Sequence, residues 1–161
     1  PALGSEFTQS ALRAGLLALF VVVGIVLLRY REWKISVPML VTMLSEILIL
    51  LGAASFIGWN IDMAAIAAVI ITIGSSVDDQ IVITDETIGR KEKDRGWEER
   101  MKKAFFIIFA AFFTLVVAML PLFFAGAGLL RGFALTTIIG VTAGVLISRP
   151  AFAAMIEILL D

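Results

Sequence analysis

The sequence contains no cysteine and no histidine. Without cysteine the chain has no disulfide, no thiolate metal site and no cysteine nucleophile. Without histidine, proton transfer near neutral pH would have to use carboxylates. The formal net charge is only −1, with 13 Lys and Arg against 14 Asp and Glu, so no nucleic-acid partner is expected, because such a partner requires a clustered basic face.

The motifs of enzymes are missing as well. The sequence has no phosphate-binding loop of the Gly-x-x-x-x-Gly-Lys type, no cluster of metal ligands and no hydrolase triad. We therefore expect a protein with no enzymatic activity, no cofactor and no metal site.

Hydrophobic residues, in contrast, are abundant. They make up 60% of the 161 residues, against roughly 45–50% in soluble domains, and the mean hydropathy is +1.02. Apolar stretches long enough to cross a bilayer lie at 11–28, 35–57, 63–84, 104–125 and 132–148. The sequence therefore predicts an all-α fold, a single domain over residues 1–161 in which five transmembrane helices form a polytopic bundle.

The connecting segments also carry signals. Residues 85–103 are too polar to span, and within them the pattern from Trp97 to Phe105 predicts a short amphipathic helix at the cytoplasmic surface. Asp62 is expected to cap the third helix. Because Pro150 lacks an N–H, the last span should bend or stop there, with an interfacial helix over 151–160.

The basic residues predict the orientation. Segments 29–34 and 90–103 contain ten Lys and Arg, whereas the turns at 58–62 and 126–131 contain only Arg131. By the positive-inside rule the first two segments are cytoplasmic, so the N-terminus lies outside and the C-terminus lies in the cytoplasm. Since residues 1–10 lack the basic region of a signal peptide, we interpret the chain as the C-terminal part of a longer polypeptide.

Asp78 and Asp79 are the main candidates for function. A carboxylate at the centre of a membrane helix costs roughly 2.5–3.5 kcal/mol, so such residues usually mark an ion or proton path. The two side chains point about 100° apart, and periodicity favours Asp79, which continues a polar stripe of Thr72, Ser75 and Ser76. That stripe would line the pathway. The alternative is that the pair lies where the helix meets cytoplasmic water.

Arg149 is a candidate partner for this pair. At about 1.5 Å per residue, Asp78 lies about 24 Å below Met63 and Arg149 lies about 26 Å below Gly132, so their depths in the membrane match. An Arg149–Asp78 pair would hold the carboxylate ionised, and breaking the pair would let it take up a proton. The alternative is that Arg149 only anchors the last span on the cytoplasmic side.

Glu46, in the middle of the second span, is a further candidate. It is either a second relay carboxylate or a partner of the face that carries Ser75 and Ser76. The alternative is a protonated glutamic acid that forms a hydrogen bond between helices, because neutralising a carboxylate costs less than burying its charge.

Small residues predict close helix packing. Gly140 and Gly144 form a GxxxG pattern, which lets helix backbones approach each other, and Gly74 is expected to pack similarly. Thr114 is either a lining residue of the pathway or a plain packing threonine.

Several motifs resemble one membrane protein family. Thr72-Ile-Gly-Ser-Ser-Val-Asp78, followed by Ile81-Val-Ile83 and a charged segment, resembles the fourth-helix signature of the SecD family, within the resistance-nodulation-division (RND) superfamily. Stretches 102–105 and 132–140 resemble the starts of that family's fifth and last helices. Residues 3–7 and the Asp-Asp-Gln triplet at 78–80 are more similar to archaeal members than to bacterial ones.

The resemblance implies a fold and a function. The chain would contain spans two to six of a six-span SecD-like domain, and would use the proton-motive force to assist late translocation and release of secreted proteins. The implied partners are a SecF-like subunit, a SecYE-type channel, secreted preproteins, the lipid bilayer, and protons or sodium ions. The family's relay role would fall on Asp78. One departure is that bacterial members commonly carry Asp-Ala-Asn in the fifth helix, where this chain has Ala110-Ala-Phe112.

Two other functions remain open from the sequence. The chain could belong to another exporter of the same superfamily, one that moves lipids, drugs or metals. It could also be a scaffold without transport activity, in which Asp78→Asn would have no effect.

Overall fold

Helices make up nearly all of the computed structural model, which describes residues 2–60, 62–89 and 96–160. The elements are α1 (Ala2–Tyr30), α2 (Trp33–Ile57), α3 (Met63–Ile88), α4 (Trp97–Ala125), α5 (Leu129–Ala143), a π-helical turn (Gly144–Ser148) and α6 (Arg149–Leu160). Within these described ranges, five helices are long and apolar enough to cross a bilayer, the last being the continuous stretch Leu129–Leu160. The predicted all-α bundle of five membrane helices is confirmed.

Two helices begin at least seven residues before their predicted apolar spans. α1 starts at Ala2 and α4 at Trp97, because the polar residues before each span include no proline to interrupt the helix. The expected amphipathic segment from Trp97 to Phe105 is therefore the first part of α4 and not a separate helix. Residues 90–95 of the predicted cytoplasmic segment lie outside the described residues.

The last helix was predicted to bend or stop at Pro150, and it does not stop, because helix continues on both sides of this residue. The preceding π-turn accommodates the proline: the N–H of Arg149 bonds to the carbonyl of Gly144, five residues back. Residues 151–160, expected to be interfacial, bury Phe152, Ala153 and Ile156 in the bundle.

The third helix lies at the centre of the bundle. α3 packs against α1, α2, α4, α5 and α6, and it buries polar as well as apolar side chains. α1 and α4 lie at the periphery of the bundle and leave large apolar side chains exposed, among them Phe20 and Phe106. These apolar surfaces are suited to contact with lipid. Because α3 buries polar side chains at the centre, the interior of the bundle is more polar than its surface.

One end of α3 is fixed by its cap. α2 ends at Ile57 and is followed by Gly58, whose φ of 74° is the left-handed conformation that glycine adopts readily. Asp62 then accepts a hydrogen bond from the backbone N–H of Ala65 at 2.8 Å, which confirms the predicted N-cap.

The other end of α3 forms ion pairs with the end of α1 and with the first part of α4. Arg29 pairs with Asp85 at 2.8 Å, and the Tyr30 hydroxyl donates to the same carboxylate at 2.9 Å. Lys103, near the start of α4, pairs with Glu86 at 2.9 Å. These contacts place residues of both basic segments, 29–34 and 90–103, at the same end of the bundle.

Candidate functional site: a buried arginine between two carboxylates

Arg149 lies at the start of α6 with none of its surface exposed. Its Nε donates to Asp79 Oδ2 of α3 at 2.9 Å. Its Nη1 donates to both carboxylate oxygens of Glu46 on α2, at 2.9 Å to Oε1 and 2.8 Å to Oε2. One guanidinium therefore connects three helices through charged hydrogen bonds, which are about twice as strong as neutral ones.

The two carboxylates differ in their surroundings. Glu46 is 3% exposed and also accepts a hydrogen bond from Ser76 Oγ at 2.7 Å. Asp79 is 8% exposed, and among the described residues only Arg149 donates a hydrogen bond to its side chain. In the described part of the chain, Glu46 is thus held by three donated hydrogen bonds and Asp79 by one, so Asp79 is the less tightly held of the two carboxylates.

The charges of this cluster do not balance when both acids are ionised. One guanidinium then faces two carboxylates, which leaves one uncompensated negative charge inside the bundle. Binding a single proton removes that charge, and charge burial in an apolar interior strongly favours neutrality. The arrangement can therefore hold one exchangeable proton.

The predicted pairing of Arg149 was with Asp78, but the structure pairs it with Asp79. The side chain of Asp78 is exposed on the outer side of α3 and forms no hydrogen bond or ion pair with any residue that the structure describes. Asp78 and Asp79 are adjacent, so the depth estimate does not separate them, and the helical rotation of about 100° between them decides which one faces α6. The polar stripe at helical spacing had favoured Asp79.

Glu46 contacts the serine face that the sequence indicated, through Ser76 and not Ser75. Ser75 is half-buried on the side of α3 that also carries Asp78. The bond between Glu46 and Arg149 was not predicted. The acid Glu46 and the base Arg149 in two different spans could have indicated this ion pair. The sequence did not show that their helices are neighbours.

The two glycines of the GxxxG pattern have different surroundings. A Cβ at Gly140 would lie 2.7 Å from Oγ1 of Thr72, so this glycine allows α5 to approach α3, as predicted. A Cβ at Gly144 would overlap Arg149 Nη1 and lie 2.5 Å from Glu46 Oε1. Gly144 therefore makes room for the ion pair.

Other predicted residues lie apart from the cluster. Thr72 is buried against Gly140, and its hydroxyl bonds back to the carbonyl of Ala68. Thr114 is exposed on α4 and bonds back to Ala110. A Cβ at Gly74 would meet no atom within 4 Å in the described part of the chain, so the expected close packing at Gly74 is not found there.

A second buried polar contact was missed from the sequence. Gln80 is fully buried and donates from Nε2 to Thr42 Oγ1 at 2.7 Å, which joins α3 to α2 next to the ion cluster. A glutamine inside an apolar span was the available signal, since such a group requires a partner.

The chain matches a family of known membrane proteins over nearly its whole length. The profile described as "Protein export membrane protein SecD/SecF, C-terminal" matches residues 1–159. The chain is 48% identical over 164 residues to a protein-export membrane protein SecD of Methanothermobacter thermautotrophicus, covering 98% of this chain and 41% of that protein. It is 50% identical to the SecD protein of Methanocaldococcus jannaschii, covering 98% of this chain and 39% of the relative.

A bacterial protein is also similar. The chain is 36% identical over 146 residues to a protein translocase subunit SecDF of Brucella abortus, covering 87% of this chain and 19% of that protein. The chain thus spans about two fifths of the length of the two archaeal relatives and less of the bacterial one.

Proposed function

Because the chain belongs to the SecD/SecF family of protein-export membrane proteins, we propose that it is the membrane part of a Sec export subunit driven by the proton-motive force. In this proposal it assists the late translocation and release of secreted proteins. The observation that carries the proposal is the fully buried Arg149 held between Asp79 and Glu46. Ionisable groups inside a membrane bundle commonly mark a proton or ion path.

The proposed cycle has two states of one carboxylate. With Asp79 ionised, Arg149 bonds α6 to both α3 and α2. When Asp79 binds a proton, its attraction to Nε weakens, whereas Arg149 keeps its two bonds to Glu46. α6 then stays attached to α2. α3 loses its ion pair with α6 but keeps the hydrogen bonds from Ser76 and Gln80 to α2, so the proposed shift is between α3 and α6.

The available energy is sufficient for such a shift. One elementary charge that moves through 100 mV gains about 2.3 kcal/mol. A free-energy difference of about 1.4 kcal/mol changes a two-state equilibrium tenfold, so one proton per cycle would change the populations of two helix packings substantially.

A SecF-like subunit is the proposed partner of the outer side of α3. Ile71, Gly74, Ser75 and Asp78 follow one another at helical spacing, and each is exposed or half-buried. An unpaired carboxylate is costly against lipid, whereas small residues and a polar group suit contact with another membrane helix. A SecYE-type channel and secreted preproteins complete the proposed assembly.

The proposed orientation follows the basic residues. The end of the bundle with Arg29, Lys103 and Arg100 is placed in the cytoplasm, and the end with Trp59 and Gly128 is placed outside. Asp79 lies nearer the cytoplasmic end of α3, so a proton that enters from outside would travel most of the bundle before it reaches the cluster.

The test is release of a secreted reporter protein from energised membrane vesicles. Vesicles with the full-length protein, its partner subunit and the channel are compared with vesicles that lack only the full-length protein. We expect the protein to accelerate release severalfold and a protonophore to abolish the gain, whereas collapse of a sodium gradient alone should not. A gain that resists the protonophore would indicate a scaffold, and no gain would contradict a role in export.

A further inference from the structure

The position of Arg149 depends on the π-turn that precedes it. In an α-helix, residues five apart point about 140° away from each other around the axis. In the π-turn the N–H of Arg149 bonds to the carbonyl of Gly144, so the backbone of Arg149 lies one turn above that of Gly144. Arg149 is thereby brought to the face of the helix that carries Gly144, next to Glu46.

The space for the guanidinium comes from the missing side chain of Gly144. The backbone there has φ −58° and ψ −53°, which any residue adopts in a helix, so glycine is not required for conformation. A Cβ at this position would overlap Nη1 and lie 2.7 Å from Cζ of Arg149. The contact falls on the nitrogen that bonds Glu46, and not on the Nε that bonds Asp79.

We infer that Gly144 and its π-turn are a positioning device that holds Arg149 Nη1 on Glu46 and so keeps the arginine bound while Asp79 exchanges its proton. This inference rests on the proposed function, since the positioned group is the proposed relay arginine. Gly144 touches no proton; it determines the geometry of Arg149, which in turn bonds the carboxylate that exchanges one.

The first experiment is a double-mutant cycle on thermal unfolding of the full-length protein in detergent micelles. Gly144→Ala is made in the wild type and in the background Arg149→Gln with Asp79→Asn. That background keeps the net charge of the cluster, and its glutamine ends two bonds short of Nη1. We expect Gly144→Ala to lower the unfolding midpoint of the wild type by roughly 2–10 °C, and to lower that of the background by less than half as much.

Gly140→Ala is the matched control. Its Cβ would press on Thr72, an uncharged side chain away from Arg149. We expect it to shift the midpoint equally in both backgrounds. Equal shifts for Gly144→Ala as well would mean that Gly144 serves helix packing alone, and would overturn the inference.

A second readout needs no charge variant. In the vesicle assay, at matched amounts of folded protein, Gly144→Ala should lose at least half of the protonophore-sensitive release, whereas Gly140→Ala should keep it. A full response in Gly144→Ala would also overturn the inference. If the wild type itself does not respond to the protonophore, the proposed function fails, and the unfolding cycle still reports whether Gly144 positions Arg149.

Discussion

Asp79→Asn is expected to abolish the protonophore-sensitive part of reporter release while leaving any release that occurs without the proton gradient. Asparagine keeps the size of the side chain and can still accept from Arg149 Nε through its amide oxygen, but it cannot gain or lose a proton. The cluster is then fixed in the state that mimics the protonated acid. The expected loss is at least tenfold in the gradient-dependent rate.

Asp78→Asn is the comparison that makes this result specific. It makes the same change, from a carboxylate to an amide, at the adjacent residue. The bonds of Arg149 to Asp79 and Glu46 stay intact. We expect this variant to keep its response to the protonophore. The opposite pattern, with Asp78→Asn unresponsive and Asp79→Asn normal, would assign the relay to the residue that the family resemblance indicates and would contradict the role proposed for Asp79.

Arg149→Gln is expected to cause the largest loss of stability among the substitutions considered. It leaves Glu46 and Asp79 buried near each other without a cation, and removal of one partner from a buried ion pair costs about 3–5 kcal/mol. The measurement is the free energy of unfolding of the full-length protein in mixed micelles.

Two comparisons interpret that measurement. Adding Asp79→Asn to Arg149→Gln removes one of the unpaired charges and should recover a substantial part of the loss. Arg131→Gln removes an exposed arginine that lies over the ring of Phe123, and should have a much smaller effect. A loss for Arg149→Gln no larger than that for Arg131→Gln would show that the buried cluster contributes little to stability.

The number of helices and the cap of α3 could be predicted because they depend on local sequence. Apolar length determines a membrane span, and Asp62 is a capping residue by its position before the first turn. The early starts of α1 and α4 were missed, because a polar segment without a breaker continues a helix even where it no longer resembles a span.

The charged residues of the site could be predicted from the sequence, but which of them contact each other could not. Asp79 and Glu46 were identified as costly charges in apolar spans, and Arg149 was identified as a candidate partner for the aspartate pair. Their mutual contacts depend on helix neighbours and on the π-turn before Arg149, and a hydrophobicity pattern encodes neither. Gly144 was assigned to helix packing for the same reason, because a GxxxG pattern does not show which atoms fill the space that the glycine leaves.

The most direct test of the central claim is infrared difference spectroscopy of the full-length protein between high and low pH, in the region of the carbonyl stretch of protonated carboxylic acids. A buried acid that gains a proton gives a band there. Other acids that gain a proton also absorb there, so we expect one component of this band that is present in the wild type and in Asp78→Asn and missing in Asp79→Asn. A band that persists unchanged in Asp79→Asn, or no such band in the wild type, would contradict the claim that Asp79 is the exchangeable acid of this cluster.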